Sequence, residues 1–115
     1  MMDQVIDLKA ALPFRLGTTS FIYPDHILPN VRQLGPFFDE IELLVFESDP
    51  LEVLPQPREV RELAELSRDL DVTYNVHLPV DVSLTHASRN RRDHAVDTLL
   101  RVMDRVSMLS PTTHT

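Results

Sequence analysis

At 115 residues with a net charge of −7, eleven Lys and Arg against eighteen Asp and Glu, the chain has the size of one domain or part of one. Its 43% hydrophobic and 25% charged content excludes disordered and fibrous classes, and its acidity argues against nucleic-acid or anionic-membrane partners. The absence of cysteine removes disulfides, thiolate zinc sites and a Cys nucleophile, and two glycines cannot build a Gly-rich phosphate loop.

The first residues carry neither the basic region nor the apolar run of a signal peptide. The longest apolar run, Leu43–Phe46, falls far short of the roughly 20 residues needed to cross a bilayer, so a cytoplasmic protein is expected. Residues 3–12 are read as a short lead-in helix ended by Pro13. Phe14 to Thr19 reads as a first strand. Asp25 is then placed to N-cap a helix over Ile27–Leu34, whose Ile27, Val31 and Leu34 share a face and which Gly35-Pro36 stops. Glu40 to Phe46 is the strongest strand signal, and its apolar stretch suits a strand covered on both faces.

A Pro-rich loop leads into a helix over 57–70, with Val60, Leu63, Ala64 and Leu70 on its apolar side. Val72 to His77 is the third strand. Its alternation puts Val72, Tyr74 and Val76 on one face and Thr73, Asn75 and His77 on the other. A helix over 89–109 follows a loop through Ser88, with Val96, Leu99, Leu100, Met103 and Val106 at helical spacing, and Pro111 closes it. The tail from Pro111 to Thr115 reads as the entrance to a fourth strand. The β-α-β-α-β-α order predicts parallel strands joined by right-handed crossovers. A closed βα barrel needs eight such units and ~250 residues, so the fold class is α/β, a partial TIM (β/α) barrel. Residues 1–13 are the lead-in and 14–115 the first three units.

In parallel α/β proteins the site lies at the carboxyl ends of the strands. His77 ends the third strand and Asp81 follows four residues later. An imidazole there is a candidate metal ligand that a carboxylate can orient; the plain alternative is a strand-end His bonded to its loop. Glu47, just past the second strand, is read as the position equivalent to His77. Glu42, mid-strand among apolar residues, needs a partner if buried, and Arg15 on the first strand is the candidate. The loop after the first strand offers Thr19, Ser20 and Tyr23 for sugar or phosphate oxygens, or as ordinary turn and core residues.

At these residues the sequence resembles a known family. Phe14-Arg15-Leu16-Gly17-Thr18-Thr19-Ser20-Phe21, Asp39-Glu40-Ile41-Glu42-Leu43 and Val76-His77-Leu78-Pro79 are similar to the first three strands of the xylose isomerase-like TIM barrels. That group includes sugar-phosphate isomerases/epimerases and AP endonuclease family 2 enzymes. The stretches 75–84 and 16–24 look closest to its cobamide-remodelling phosphodiesterases. The resemblance implies that His77 holds a divalent ion (zinc, manganese or cobalt) in a site this chain leaves incomplete. Glu47 and Asp81 would be its catalytic carboxylates, and the substrate would be a small molecule, for which the loop residues Thr19, Ser20 and Tyr23 are the candidate contacts. The reaction it implies is hydrolysis of a phosphodiester; the rivals are sugar isomerisation or epimerisation, and a non-catalytic βα fragment acting in folding or assembly. The 115 residues alone are expected to be inactive and to self-associate through open sheet edges, exposing apolar surface around Leu44 and Phe46 or Leu43 and Val45.

Overall fold

The computed structural model of the chain describes residues 6–48 and 51–115. Within them lie β1 (Gly17–Thr19), α1 (Ile27–Leu34), β2 (Glu40–Leu44), α2 (Pro57–Leu70), β3 (Thr73–His77) and α3 (Arg89–Arg105), followed by a 3-10 turn at Ser107–Leu109. The strands form one sheet in the order β1-β2-β3, with both pairings parallel. The tail adds a fourth line of pairing: His114 makes a parallel bridge with Val76, and Val76 N–H donates to Thr113 O at 3.0 Å while Thr115 N–H donates to Val76 O at 2.9 Å.

One face of the sheet is apolar because alternate residues of β2 and β3 are. Ile41, Leu43, Val45, Tyr74 and Val76 are essentially fully buried there, against Val31 and Leu34 of α1 and Val60 and Leu63 of α2. The surface around Leu43 and Val45 is therefore closed, Leu44 is buried as well, and Phe46 stays 42% exposed. Tyr74 brings a hydroxyl into this layer and donates it to Leu63 O at 2.7 Å. Burial pushes its phenol well above the usual tyrosine range. Gly35 ends α1 where α2 comes close: a Cβ there would sit 2.8 Å from Val31 O and 2.9 Å from Leu70 Cδ1.

The helix limits follow their sequence signals. Pro57 opens α2, and Gln56 and Glu59 form a capping box in which Gln56 N–H donates to Glu59 Oε1 at 3.0 Å. Other expectations are corrected. Residues 6–12 form no helix; the chain turns at Lys9 and Ala10, whose φ is 55°, and residues 3–5 of the expected lead-in helix lie outside the described residues. Lys9 Nζ donates to Gly35 O and Phe38 O, and Ala10 N–H goes to the Asp39 carboxylate rather than to a helical carbonyl. Asp25 does not cap α1: His26 is the N-cap, and Asp25 Oδ1 accepts the His26 N–H. Strand β1 begins at Gly17 rather than Phe14, because Leu16 N–H turns to the Asp39 carboxylate. Helix α3 stops at Arg105, where the Ser107 hydroxyl donates to Asp104 O and competes with the helical pattern. Its buried face is Ala95, Thr98 and Val102, so Val96, Leu100 and Met103 point to solvent rather than to the core.

Asp39, at the foot of β2, accepts the backbone N–H of Ala10 at 2.9 Å and of Leu16 at 2.8 Å. The Leu16 bond, with that of Ala10, holds its carboxyl below the usual aspartate range. A depressed carboxyl contributes stability that is present above the unfolded pKa of about 3.9 and is lost as pH falls through the folded value. Asp39→Asn is expected to be less stable than the parent at neutral pH and to lose less on acidification below about pH 4, as urea denaturation at both pH values will show. Tyr74→Phe removes one buried hydrogen bond from a carbonyl that α2 still uses, and is expected to cost about 1 kcal/mol in the same measurement.

Candidate functional site

The register of the sheet decides which side chains share its second face. Glu40 pairs with Thr73, Glu42 with Asn75, and Leu44 with His77, while Gly17 and Thr19 pair with Glu40 and Glu42. Paired residues of parallel strands project to the same side. Thr19, Glu42, Asn75 and His77 therefore lie on the face that a closed barrel turns inward, with His77 at its carboxyl edge.

Polarity on this face is satisfied at the amino end and open toward the carboxyl end. Glu40 accepts hydrogen bonds from Thr73 Oγ1 at 2.9 Å, Asn75 Nδ2 at 3.0 Å and Thr112 Oγ1 at 2.9 Å, which ties β2, β3 and the tail together. The Glu42 side chain, one pleat higher, makes no hydrogen bond or ion pair among the described residues, while its backbone carbonyl accepts Ser20 N–H at 2.9 Å. The expected partner, Arg15, instead donates to Asp39 O and Thr73 Oγ1. From the strand spacing and rise, the backbones at Glu42 and His77 stand about 8 Å apart.

His77 is held from two sides. Its Nδ1 lies 2.8 Å from Leu78 O. A carbonyl can only accept, so Nδ1 carries the hydrogen and Nε2 presents its lone pair. The Phe46 ring meets the imidazole edge to face, centroids 5.1 Å apart and planes at 69°. Glu47 does not occupy the position equivalent to His77; Leu44 does. Strand β2 ends there, and the chain beyond is tied to β3 by Val45 N–H to His77 O at 3.1 Å and Val80 N–H to Phe46 O at 2.9 Å. Glu47 is exposed at the rim. Asp81 accepts Ser48 N–H with both carboxylate oxygens at 3.0 Å, a bond between the loops after β2 and β3.

Two adjoining cavities of about 500 and 460 Å³ open at this edge, between the loops after β1 and β2. They share Phe21, His26, Phe46 and Val53; Ser20 and Leu44 line the first, Glu47 and Glu52 the second. Ser20 is buried and its Oγ accepts Leu44 N–H at 3.0 Å, so it holds the loop as well as lining the cavity. Thr19 Oγ1 accepts Phe21 N–H at 3.4 Å. Tyr23 packs against the core, and its backbone is clamped by Asn30, which accepts Tyr23 N–H at 2.9 Å and donates to Tyr23 O at 3.1 Å. The structure thus gathers His77, Glu47, Ser20 and Thr19 toward one edge and gives Tyr23 and Asp81 supporting bonds. The sequence alone marks neither Val53 nor Asn30, nor the part that Phe21 and Phe46 take in walling the cavities. Phe46 had a signal: it follows Leu44 in the even-numbered series on the inward face.

Neither a protein-family model nor a curated protein matches the sequence. Among solved structures, the chain is similar to one described as a D-tagatose 3-epimerase-like protein, with 17% identity and a TM-score of 0.71. The match covers 88% of this chain and 36% of that one. At such identity the likeness is one of fold, and it agrees with the parallel βα order. The chain has the parallel α/β architecture of a partial TIM barrel.

Proposed function

We propose that the chain supplies the first βα units of a TIM-barrel enzyme that isomerises or epimerises a sugar or sugar phosphate. The observation that supports this best is the convergence of His77, Glu47 and an aromatic-walled cavity at the carboxyl edge of a sheet whose fold matches an epimerase-like protein. Such reactions take a proton from a carbon beside a carbonyl and return it to a neighbouring carbon or to the opposite face, which calls for a positioned carboxylate. We assign that carboxylate to Glu47 at the cavity rim, with Glu42 a second one on the face of His77. The Nε2 lone pair of His77 accepts a sugar hydroxyl, Thr19 stands on the same face, and the rings of Phe21 and Phe46 pack against the carbon chain. Ser20, Tyr23 and Asp81 shape the loops.

The phosphodiesterase reading has less support. Asp25 lines the first cavity and Glu47 and Glu52 the second, and among the described residues no Lys or Arg lines either, so that His26 is the basic side chain there and the mouth offers little to offset a phosphodiester charge. His77 is one nitrogen donor for zinc, manganese or cobalt. No three His, Cys, Asp or Glu side chains come together among the described residues in a way that could hold an ion. The donors among the described residues do not by themselves complete an ion site, and the chemistry above does not depend on one. No helix among the described residues is long and apolar enough to cross a membrane.

Titration of the 15N-labelled chain with a ketohexose is expected to shift the amides of Phe21, Phe46 and His77, and the shifts shrink in Glu47→Gln and in His77→Ala. A simple phosphodiester is expected to leave them in place. A ketohexose that perturbs only helix surfaces, or a phosphodiester that alone perturbs the mouth, overturns the proposal.

The outer sides of β1 and of the tail strand carry no further strand among the described residues, and Val96, Leu100 and Met103 form an exposed apolar stripe along α3. Sedimentation velocity should accordingly show the mean mass rising with concentration, and the isolated chain should give no turnover.

A further inference from the structure

We infer that Phe46 is a positioning residue for His77: its ring, packed edge to face with the imidazole, holds it against Leu78 O and so keeps the Nε2 lone pair turned to the mouth. Three observations carry this. The first is the ring contact itself, 5.1 Å between centroids at 69°, the edge-to-face geometry that aromatic pairs favour. The second is the hydrogen bond it accompanies. A His bonded to the carbonyl of the next residue, at 2.8 Å, needs a particular side-chain rotation, and a half-exposed ring without lateral support is free to leave it. The third is the backbone of Phe46, which Val80 N–H fixes through Phe46 O at 2.9 Å. The ring therefore stands at a set height above Leu44, the residue paired with His77.

Phe46 also lines both cavities, and its 42% exposure is an apolar surface that the core does not use. A ligand seated in the cavity touches the same ring that braces the imidazole, so occupancy and His77 geometry are joined through one side chain. The plain alternative is that Phe46 only fills space, in which case an aliphatic residue of similar bulk serves equally well. The inference rests on reading His77 as a working group of the mouth, but its test needs no substrate.

The test is imidazole nitrogen NMR of the labelled 115-residue chain above the histidine titration range, where the ring is neutral. The parent is expected to show a protonated Nδ1 and an unprotonated Nε2, with nuclear Overhauser contacts between the Phe46 and His77 rings. Phe46→Tyr keeps the ring and should retain both the tautomer and the contacts. Phe46→Leu should lose the single tautomer and give a mixture, while the amide signals of Tyr74 and Leu63 stay in place to report an intact fold. Retention of the parent tautomer in Phe46→Leu overturns the inference. So does a parent chain that shows protonated Nε2, or one without contacts between the two rings; that measurement stands even where the Leu variant fails to fold. If the tautomer depends on Phe46 and a ketohexose still leaves His77 undisturbed, the proposed function fails and the positioning role stands.

Discussion

A single carboxylate at the amino end of the sheet sets the position of everything above it. Asp39 takes the N–H of Ala10 and of Leu16 on its side chain, gives its own N–H to Leu16 O, and receives Thr73 N–H on its carbonyl. The guanidinium of Arg15 shares that carbonyl. One residue thereby fixes the lead-in segment, β1 and β3 against β2. Once Gly17 lies opposite Glu40 and Glu40 opposite Thr73, counting by two delivers Thr19, Glu42, Asn75 and His77 to one face. Hydrogen bonds to a carboxylate are stronger than neutral ones, which suits a residue that must hold three segments without a helix or turn of its own.

The two glutamates of β2 show how the same side chain takes different parts at different heights. Glu40 is surrounded by three donors from two other segments. The carboxylate of Glu42, one pleat higher, has none among the described residues. A polar group that is satisfied in place rigidifies its surroundings, whereas one left open is available for a ligand or another strand. Any element that comes to cover this face has to bring a donor or a positive charge to Glu42, since enclosing an unpaired carboxylate is costly.

Much of this architecture is legible in the order of residues. The limits of α1 and α2 follow from Gly35, Pro57 and the apolar spacing between them, and the two faces of β3 follow from strict alternation. What escaped reading depends on distant partners. The turn at Lys9 and Ala10 exists because Gly35, Phe38 and Asp39 accept its hydrogens, and local propensity carries no trace of that. On α3 the apolar spacing points to the wrong face, because Ala95 and Thr98 are small enough to lie against the body while the longer Val96, Leu100 and Met103 face outward. Glu42 was set aside for an ion pair with Arg15 that the pull of Asp39 O prevents. His77 was legible as a strand-end residue and Phe46 as apolar surface near it, but the contact between the two rings was not, since it appears once β2 is known to stop at Leu44.

The pairing of the tail on β3 decides more than where a fourth strand runs. Opposite Val76, His114 faces the helix side, and its Nε2 is buried there without a hydrogen-bond partner among the described residues. A slip of one residue would turn that imidazole to the other side, next to Asn75 and His77, because each step along a strand exchanges the faces. The bond from Thr112 Oγ1 to Glu40 ties the segment to β2 as well as to β3 and opposes such a slip. The hydroxyl at position 112 thus guards a choice between one histidine and two on the inward side of the sheet.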